Sequence, residues 1–231
     1  MKYMGSKARH AKELLPIILK NRQPEQWYVE PFVGGANMID KVTGNRIAND
    51  FNYYLIELLK KMSEGVDWIP TEVSEEQYKL AQNNKDKFPA WSIGYCGFCL
   101  SYAGKWFGGW RRDSLGKRNY VMEAYRNTLK QAPLLKGINF YCGSYAELQI
   151  PQNSIIYCDP PYEGTTKYKD DFNHNEFWQW CRNKHDEGNQ IFISEYNAPD
   201  DFICIWEKTV NNTLTADTGS KQGVEKLFTL S

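Results

Sequence analysis

The sequence predicts an α/β fold: a mostly parallel sheet with an antiparallel closing strand and a small inserted helical domain. Three observations carry this. The opening segment reads strand, glycine turn, helix, strand, acid: Gln26–Glu30, then Pro31 with Gly34 and Gly35, then Ala36–Val42, then Arg46–Asp50. Further on, Ile155–Cys158 and Gln190–Ser194 are almost unbroken apolar runs, as parallel strands covered on both faces require. Between these halves the pattern changes to amphipathic helices and an aromatic, glycine-rich stretch. Residues 1–54 and 137–231 therefore read as the α/β domain, and 55–136 as the insertion.

The first periodic element runs from about Ser6 to Lys20, with Leu14, Leu15, Ile18 and Leu19 on one helical stripe. Tyr54–Ser63 is amphipathic. Ser74–Asn83 is opened by Ser74 with Gln77 three residues on, the pattern of a reciprocal cap. Residues 91–118 are rich in Gly, Trp, Tyr and Arg, and Asn119–Gln131 has a helical period. After Pro133 strands return at Gly137–Cys142 and in the two apolar runs. Trp206–Asn212 and Glu225–Leu230 alternate enough for a closing antiparallel pair.

At 231 residues the chain is one large domain, or one domain with a small companion. No stretch approaches the ~20 apolar residues of a membrane span. Met1–Lys7 is polar and lacks the apolar core of a secretory signal. The 28 basic residues balance 28 acidic ones, but not evenly. Lys2, Lys7, Arg9, Lys12, Lys20 and Arg22 face Glu13 alone in the first 22 residues. A second cationic island, Lys105, Arg111, Arg112, Lys117, Arg118, Arg126 and Lys130, faces Asp113 and Glu123. Two basic islands on an acidic body fit a localised polyanion contact or a pair of solvated patches.

The six cysteines are scattered, so reduced thiols are expected. Cys96-x-x-Cys99 sits in a small, apolar run without a second ligand pair, which suits buried thiols better than zinc. His10, His174 and His185 are isolated, and Asp170-Asp171 with His174 reads as a solvated loop. No metal is expected.

The sharpest chemical signal is Asp159-Pro160-Pro161-Tyr162, directly after the apolar strand. Ligands of open α/β sheets bind at the carboxyl ends of strands. Two successive prolines remove two backbone donors and fix φ, leaving rigid carbonyls. An acid, a carbonyl and an aromatic face suit a planar molecule bearing an amino group, though a proline-terminated strand with a capping Asp has the same spacing.

This tetrapeptide resembles the catalytic motif of adenine-N6 DNA methyltransferases, and the rest of the chain resembles the Dam-like, or D12, class. Tyr3-Met-Gly-Ser-Lys7 is similar to that class's N-terminal cofactor motif, and Glu30-Pro-Phe-Val-Gly-Gly-Ala36 to its glycine loop. Asn49-Asp50 matches the acid ending the second strand, Ser194-Glu-Tyr-Asn197 the segment after the fifth, and Gly104–Trp110 a segment of phage-type members. Gly35-Ala36 departs from the more usual Ala-Gly, and Ser144 stands where the class usually has Asp.

The resemblance implies a Rossmann-like, S-adenosyl-L-methionine-dependent methyltransferase acting on the N6 amine of adenine in double-stranded DNA, with base flipping. It implies a catalytic set of Asp159, Pro160, Pro161 and Tyr162. The implied cofactor set is Tyr3, Lys7, Glu30, Pro31, Phe32, Gly34, Ala36, Asp50, Phe51, Ser144, Tyr145 and Asp159. Residues 55–136 would be the target-recognition domain, with Lys105, Trp106, Trp110, Arg111, Arg112, Lys117 and Arg118 on DNA, or else a glycine-rich loop packed on its own tryptophans. The implied setting is the cytoplasm of a bacterial cell or phage-infected host, in restriction–modification or phage defence, with no membrane and no obligate protein partner. Methylation of RNA or of another amino-bearing base, and a non-catalytic DNA-binding homologue, are the alternatives.

Overall fold

The structure, a computed structural model, describes residues 1–113, 115–163, 172–211 and 222–230. It is a mostly parallel seven-stranded sheet with helices. The chain divides into two compact units: Met1–Ala11 with Phe32–Leu148, and Lys12–Pro31 with Gln149–Ser231. Residues 55–136 fall inside the first unit.

In the first unit the parallel pair is β2 (Arg46–Asp50) and β3 (Asn139–Cys142), in register from Ile47 opposite Asn139 to Asp50 opposite Cys142. The Arg46 guanidinium is buried, where a charge needs hydrogen-bond partners. It donates to the carbonyls of Leu134 (2.9 Å) and Lys136 (2.7 Å) in the turn before β3. Helix α2 (Tyr53–Glu64) starts where Asn52 accepts from the Leu55 N–H at 3.1 Å. Its stripe of Leu55, Ile56, Leu58, Leu59 and Met62 is buried, each apolar side chain contributing about 1.5–3 kcal/mol. Helix α3 (Glu75–Asn83) carries the reciprocal cap between Ser74 and Gln77. Helix α4 (Ala90–Gly94) runs into a π-helical turn at Tyr95–Cys99. A Cβ on Gly94 would collide with the Tyr54 carbonyl oxygen, so α4 approaches α2 as closely as only glycine permits. Helix α5 (Tyr120–Gln131), capped by Asn119, leads back to β3.

In the second unit β1 (Tyr28–Glu30), β4 (Ile155–Cys158) and β5 (Gln190–Glu195) pair in parallel. Strand β4 is buried throughout and β5 from Ile191 on, matching their apolar sequences. The closing pair, β6 (Phe202–Asn211) and β7 (Gln222–Leu230), is antiparallel, with β7 against β5 and a bulge between Cys204 and Trp206. Helix α1 (Ala11–Ile18) buries Leu14, Leu15 and Ile18.

Three local expectations change. Ala36–Val42 forms only a 3₁₀ turn at Ile39–Lys41, because Ala36 adopts φ +55° and leaves the helical basin at the outset. The first periodic element is a 3₁₀ turn, Lys7–Arg9, followed by the shorter α1. His174 opens a helix, α6 (His174–Asp186), rather than continuing a loop. Asn173 accepts from the Glu176 N–H at 3.2 Å, and Phe177, Trp178, Trp180 and Cys181 are buried. Asp170 and Asp171 lie outside the described residues. Among the described residues no three metal-ligating side chains converge. Burial pushes the Cys96 and Cys99 thiols up to about 12 and about 11, so they stay protonated.

Candidate active site

The expected cofactor residues of the first unit gather around the ends of β2 and β3. The Val33 N–H donates to the Asn49 carbonyl (2.8 Å) and that of Ala36 to the Val33 carbonyl (2.9 Å), folding the glycine loop back over β2. Gly34, at φ +49°, points its N–H at Asp50 Oδ2 (3.0 Å), while the Asn52 N–H takes Oδ1 (3.0 Å). Each Asp50 oxygen thus accepts at least one backbone bond, and a carboxylate's roughly four lone-pair sites leave capacity for a further donor. Burial raises the Asp50 carboxyl above its usual range, and the N–H groups of Asn52, Gly34 and Phe51 pull it partway back. Phe51 beside it is 83% exposed, which leaves its apolar face open.

Asn49 donates from Nδ2 to the Gly143 carbonyl (3.0 Å), and the Gly143 N–H donates to the Asp50 carbonyl (3.2 Å). This brings the turn after β3 beside the glycine loop, where the Phe32 and Tyr145 rings meet at 5.0 Å. The Ser144 hydroxyl accepts from the Ala146 N–H (3.2 Å), which leaves its proton available to a ligand acceptor. Tyr3 lies across the loop: a Cβ on Gly34 would come 2.8 Å from Tyr3 Cε1, and one on Gly35 2.5 Å from Tyr3 Cβ. The glycines therefore make room first for Tyr3. Lys7 follows in a turn capped by Ser6 and is only 7% exposed. Gln131, at the end of α5, supports the loop from below through the Gly35 carbonyl (3.0 Å) and Asp40 Oδ2 (2.9 Å).

The second unit holds the Asp159 motif where β4 ends. Asp159 is half-buried and Pro160 buried. Pro161 and Tyr162 are partly open, and the Tyr162 hydroxyl donates to Glu225 Oε2 (2.9 Å). The Tyr162 ring meets Tyr196 edge-on at 4.7 Å. Burial, then the charges of Asp159 and Glu225, push the Tyr162 phenol up, so it remains a neutral donor. One residue on, the Glu163 N–H donates to Glu195 Oε1 (2.7 Å), and the Tyr196 N–H to Oε2 of the same carboxylate (2.6 Å). Glu195 is 1% exposed, and burial pushes its carboxyl up to about 7. Glu30 is buried at the end of β1, where it accepts from the Tyr28 hydroxyl (2.9 Å), and Pro31 is buried after it.

The basic island divides. The Arg111 side chain is 8% exposed, bonded to Glu123 (3.1 Å) and laid over the Tyr120 ring at 4.0 Å, so its charge is used within the fold. Arg112 is exposed and forks onto Glu75 (Nε to Oε2, 3.0 Å). Lys105, Lys117 and Arg118 are exposed. Trp106 stacks on Tyr54 at 5.4 Å and Trp110 tilts against Tyr78 at 5.4 Å, so both tryptophans pack within the unit.

Gln131 beside the glycine loop of the first unit, and Glu195 and Glu225 beside the Asp159 segment of the second, are residues that sequence reasoning misses. Glu195 lies in the Ser194–Asn197 segment, but nothing in its neighbours announces a burial of 1% exposure. Glu225 and Gln131 act across long sequence separations and carry no local signal.

Among curated proteins the chain is similar to the Type II methyltransferase M.FokI of Planomicrobium okeanokoites, with 25% identity over 79% of this chain. The chain spans 31% of the length of that relative. Among solved structures it is similar to TrmN from Thermus thermophilus (11% identity, TM-score 0.39, 94% of this chain and 48% of that one). It is also similar to PH1948 from Pyrococcus horikoshii (8% identity, TM-score 0.43, 96% and 84%). The family model that matches the chain, over residues 3–92, is that of the D12 class N6 adenine-specific DNA methyltransferases, the class its motifs resemble.

Proposed function

We propose that this chain is a DNA adenine methyltransferase that uses S-adenosyl-L-methionine to methylate the N6 amine of a flipped adenine in double-stranded DNA. The observation that carries the reading is the Asp159-Pro-Pro-Tyr162 segment, held rigidly at the carboxyl end of β4 by partners on β5 and β7. The family match over residues 3–92 and the likeness to M.FokI support it from outside the geometry.

The residues of the first unit fit the cofactor chemically. Asp50 has acceptor capacity for ribose hydroxyls, Phe51 offers an apolar face to adenine, and the buried Lys7 ammonium suits the methionine carboxylate. A glycine loop without a P-loop Lys suits a cofactor that has no phosphate. Bound there, S-adenosyl-L-methionine supplies an electrophilic methyl group on a sulfonium.

In the second unit, Asp159 and the Pro160 carbonyl accept the two N–H bonds of the exocyclic amine. That turns the nitrogen lone pair away from the ring and orients it. Positioning of this kind can supply ~7–11 kcal/mol of a barrier, and fixed acceptors stabilise the positive charge that develops on nitrogen. Base pairing hides the amine, so the target is flipped out and stacks on Tyr162. Glu225 and Tyr196 hold that ring in place beforehand. On DNA, exposed Lys105, Lys117 and Arg118 supply phosphate contacts, and Arg112 joins them by exchanging Glu75 for phosphate. Residues 55–136 thus serve as the recognition region, and the setting this reading gives the protein is the cytoplasm of a bacterial cell or phage-infected host. No helix among the described residues is long and apolar enough to cross a membrane.

Asp159→Ala tests the reading. Transfer of labelled methyl to DNA is expected to fall below detection while S-adenosyl-L-methionine still binds. Normal methylation by this variant would refute the assignment. A wild-type product in RNA, or in a base other than adenine, would move the substrate.

A further inference from the structure

Tyr3 is gripped on two sides, and only one of them belongs to the glycine loop. On the other side stands the aromatic segment 104–110. Gly104 has φ +68°, and a Cβ there would lie 2.7 Å from the Lys2 carbonyl and from the Tyr3 nitrogen. The Met4 N–H donates to the Gly104 carbonyl at 3.3 Å, so the N-terminal segment runs directly along this turn. The Tyr3 ring meets Phe98 at 5.5 Å, and Phe98 meets Trp106 at 4.8 Å.

The π-helical turn at Tyr95–Cys99 makes this possible. Its Gly97 carbonyl accepts from the Phe107 N–H at 2.9 Å, and a Cβ on Gly97 would collide with the Trp106 ring. Such turns recur where function constrains a helix. Tyr3 is therefore wedged between Gly34–Gly35 and Phe98, with Gly104 as the floor under its backbone. Ser6 and Lys7 continue from that wedge, since the Ser6 N–H donates to the Tyr3 carbonyl at 3.2 Å.

We propose that Gly104, Phe98 and Trp106 are positioning residues for S-adenosyl-L-methionine, holding Tyr3 on the glycine loop and thereby placing Lys7. This rests on the reading of Tyr3–Lys7 as a cofactor motif. It gives the segment 104–110 a second duty besides any contact with DNA. A methyl on Gly104 has only backbone to push against, so the N-terminal segment must lift and Tyr3 must leave the loop.

The test is titration of S-adenosyl-L-methionine into the purified protein without DNA, by calorimetry. Gly104→Ala is expected to raise Kd at least ~10-fold, the equivalent of about 1.4 kcal/mol. Gly137→Ala is the control: Gly137 has φ +79° with nothing within 4 Å of its added Cβ, so it carries backbone strain without the collision. Its Kd should match wild type. Phe98→Leu, which keeps the core filled but thins the contact with Tyr3, should raise Kd by about threefold. It decides the matter if the Gly104 variant does not fold.

With DNA present, KM for the cofactor should rise in both variants while KM for DNA stays near wild type. Wild-type affinity in the Gly104 and Phe98 variants overturns the proposal, as does an equal loss in the Gly137 control. Failure of the wild-type protein itself to bind would instead remove the cofactor reading on which the proposal stands.

Discussion

The glycine loop of the first unit and the Asp159 segment of the second are held in place by different principal means. The glycine loop is fixed chiefly by backbone shape, Gly34 and Ala36 at positive φ and Tyr3 wedged against positions where no side chain fits, with the Asp50 carboxylate on the Gly34 N–H as a secondary anchor. The Asp159 segment is fixed by carboxylates, Glu195 on two backbone N–H groups and Glu225 on the Tyr162 hydroxyl. Shape is insensitive to pH and intolerant of volume, whereas carboxylates tolerate volume better and respond to protons. The two regions should therefore fail under different perturbations.

The largest effect should come from adding volume to the loop. A Cβ on Gly35 would lie 2.5 Å from Tyr3 Cβ and 2.6 Å from Asn37 Nδ2, closer than real contacts allow. Gly35→Ala is expected to destabilise the fold by about 1–3 kcal/mol, the range of overpacking, and to weaken S-adenosyl-L-methionine binding. Urea unfolding at fixed pH measures the first and titration the second. A variant as stable as wild type would show that Tyr3 does not need the space.

The carboxylate clamp answers to pH instead. In the folded protein the Glu195 carboxyl sits at about 7, against 4.5 for an ordinary glutamate, because burial disfavours its charge and the nearby Glu163 and Asp159 add repulsion. The folded state therefore holds the proton more tightly than the unfolded chain. Its contribution is fully present below about pH 4.5, declines as pH rises toward 7, and stays low above that. The loss is on the order of 1–3 kcal/mol. Glu195→Gln cannot ionise, so its stability should lack this decline. Subtracting its urea-derived stability from that of wild type at about pH 5, 6 and 7 cancels other groups. A difference that stays flat across that range would mean that Glu195 is ionised throughout.

The contrast also explains what could be read from the sequence. The place of Asp159-Pro-Pro-Tyr162 at the end of a buried strand was legible because proline chemistry and an apolar strand are local. The closing antiparallel pair and the Ser74–Gln77 cap were legible for the same reason. Arg111 is a different case: its cationic type suggests phosphate, but Glu123 and Tyr120, brought close by folding, claim it. Helix α6 is hidden although Asn173 and Glu176 form a starting signal, because the adjacent Asp and His residues look like loop. Glu195, Gln131 and the Gly104 floor depend on contacts across tens of residues, which no local pattern encodes.

The smallest effect concerns the order of Gly35 and Ala36, reversed from the more usual Ala-Gly of the class that the motif resembles. Position 36 is the left-handed one, at φ +55°, and Ala36 is fully buried there. A non-glycine residue in that basin costs about 1 kcal/mol. Ala36→Gly relieves that cost but loses a buried methyl, worth about 0.8 kcal/mol, and adds freedom to the unfolded chain, worth about 0.5–1 kcal/mol. The net change should be under ~1 kcal/mol, visible only as a small shift in urea midpoint. Combining Gly35→Ala with Ala36→Gly, which exchanges the two residues, then isolates the steric contribution. If Tyr3 is what excludes a side chain at position 35, the double variant should be as impaired as Gly35→Ala alone, with little coupling between the sites. If instead the loop can relax once position 36 is glycine, the double variant should recover wild-type stability. Recovery would make the reversed order a matter of backbone geometry, whereas persistence of the loss ties it to Tyr3.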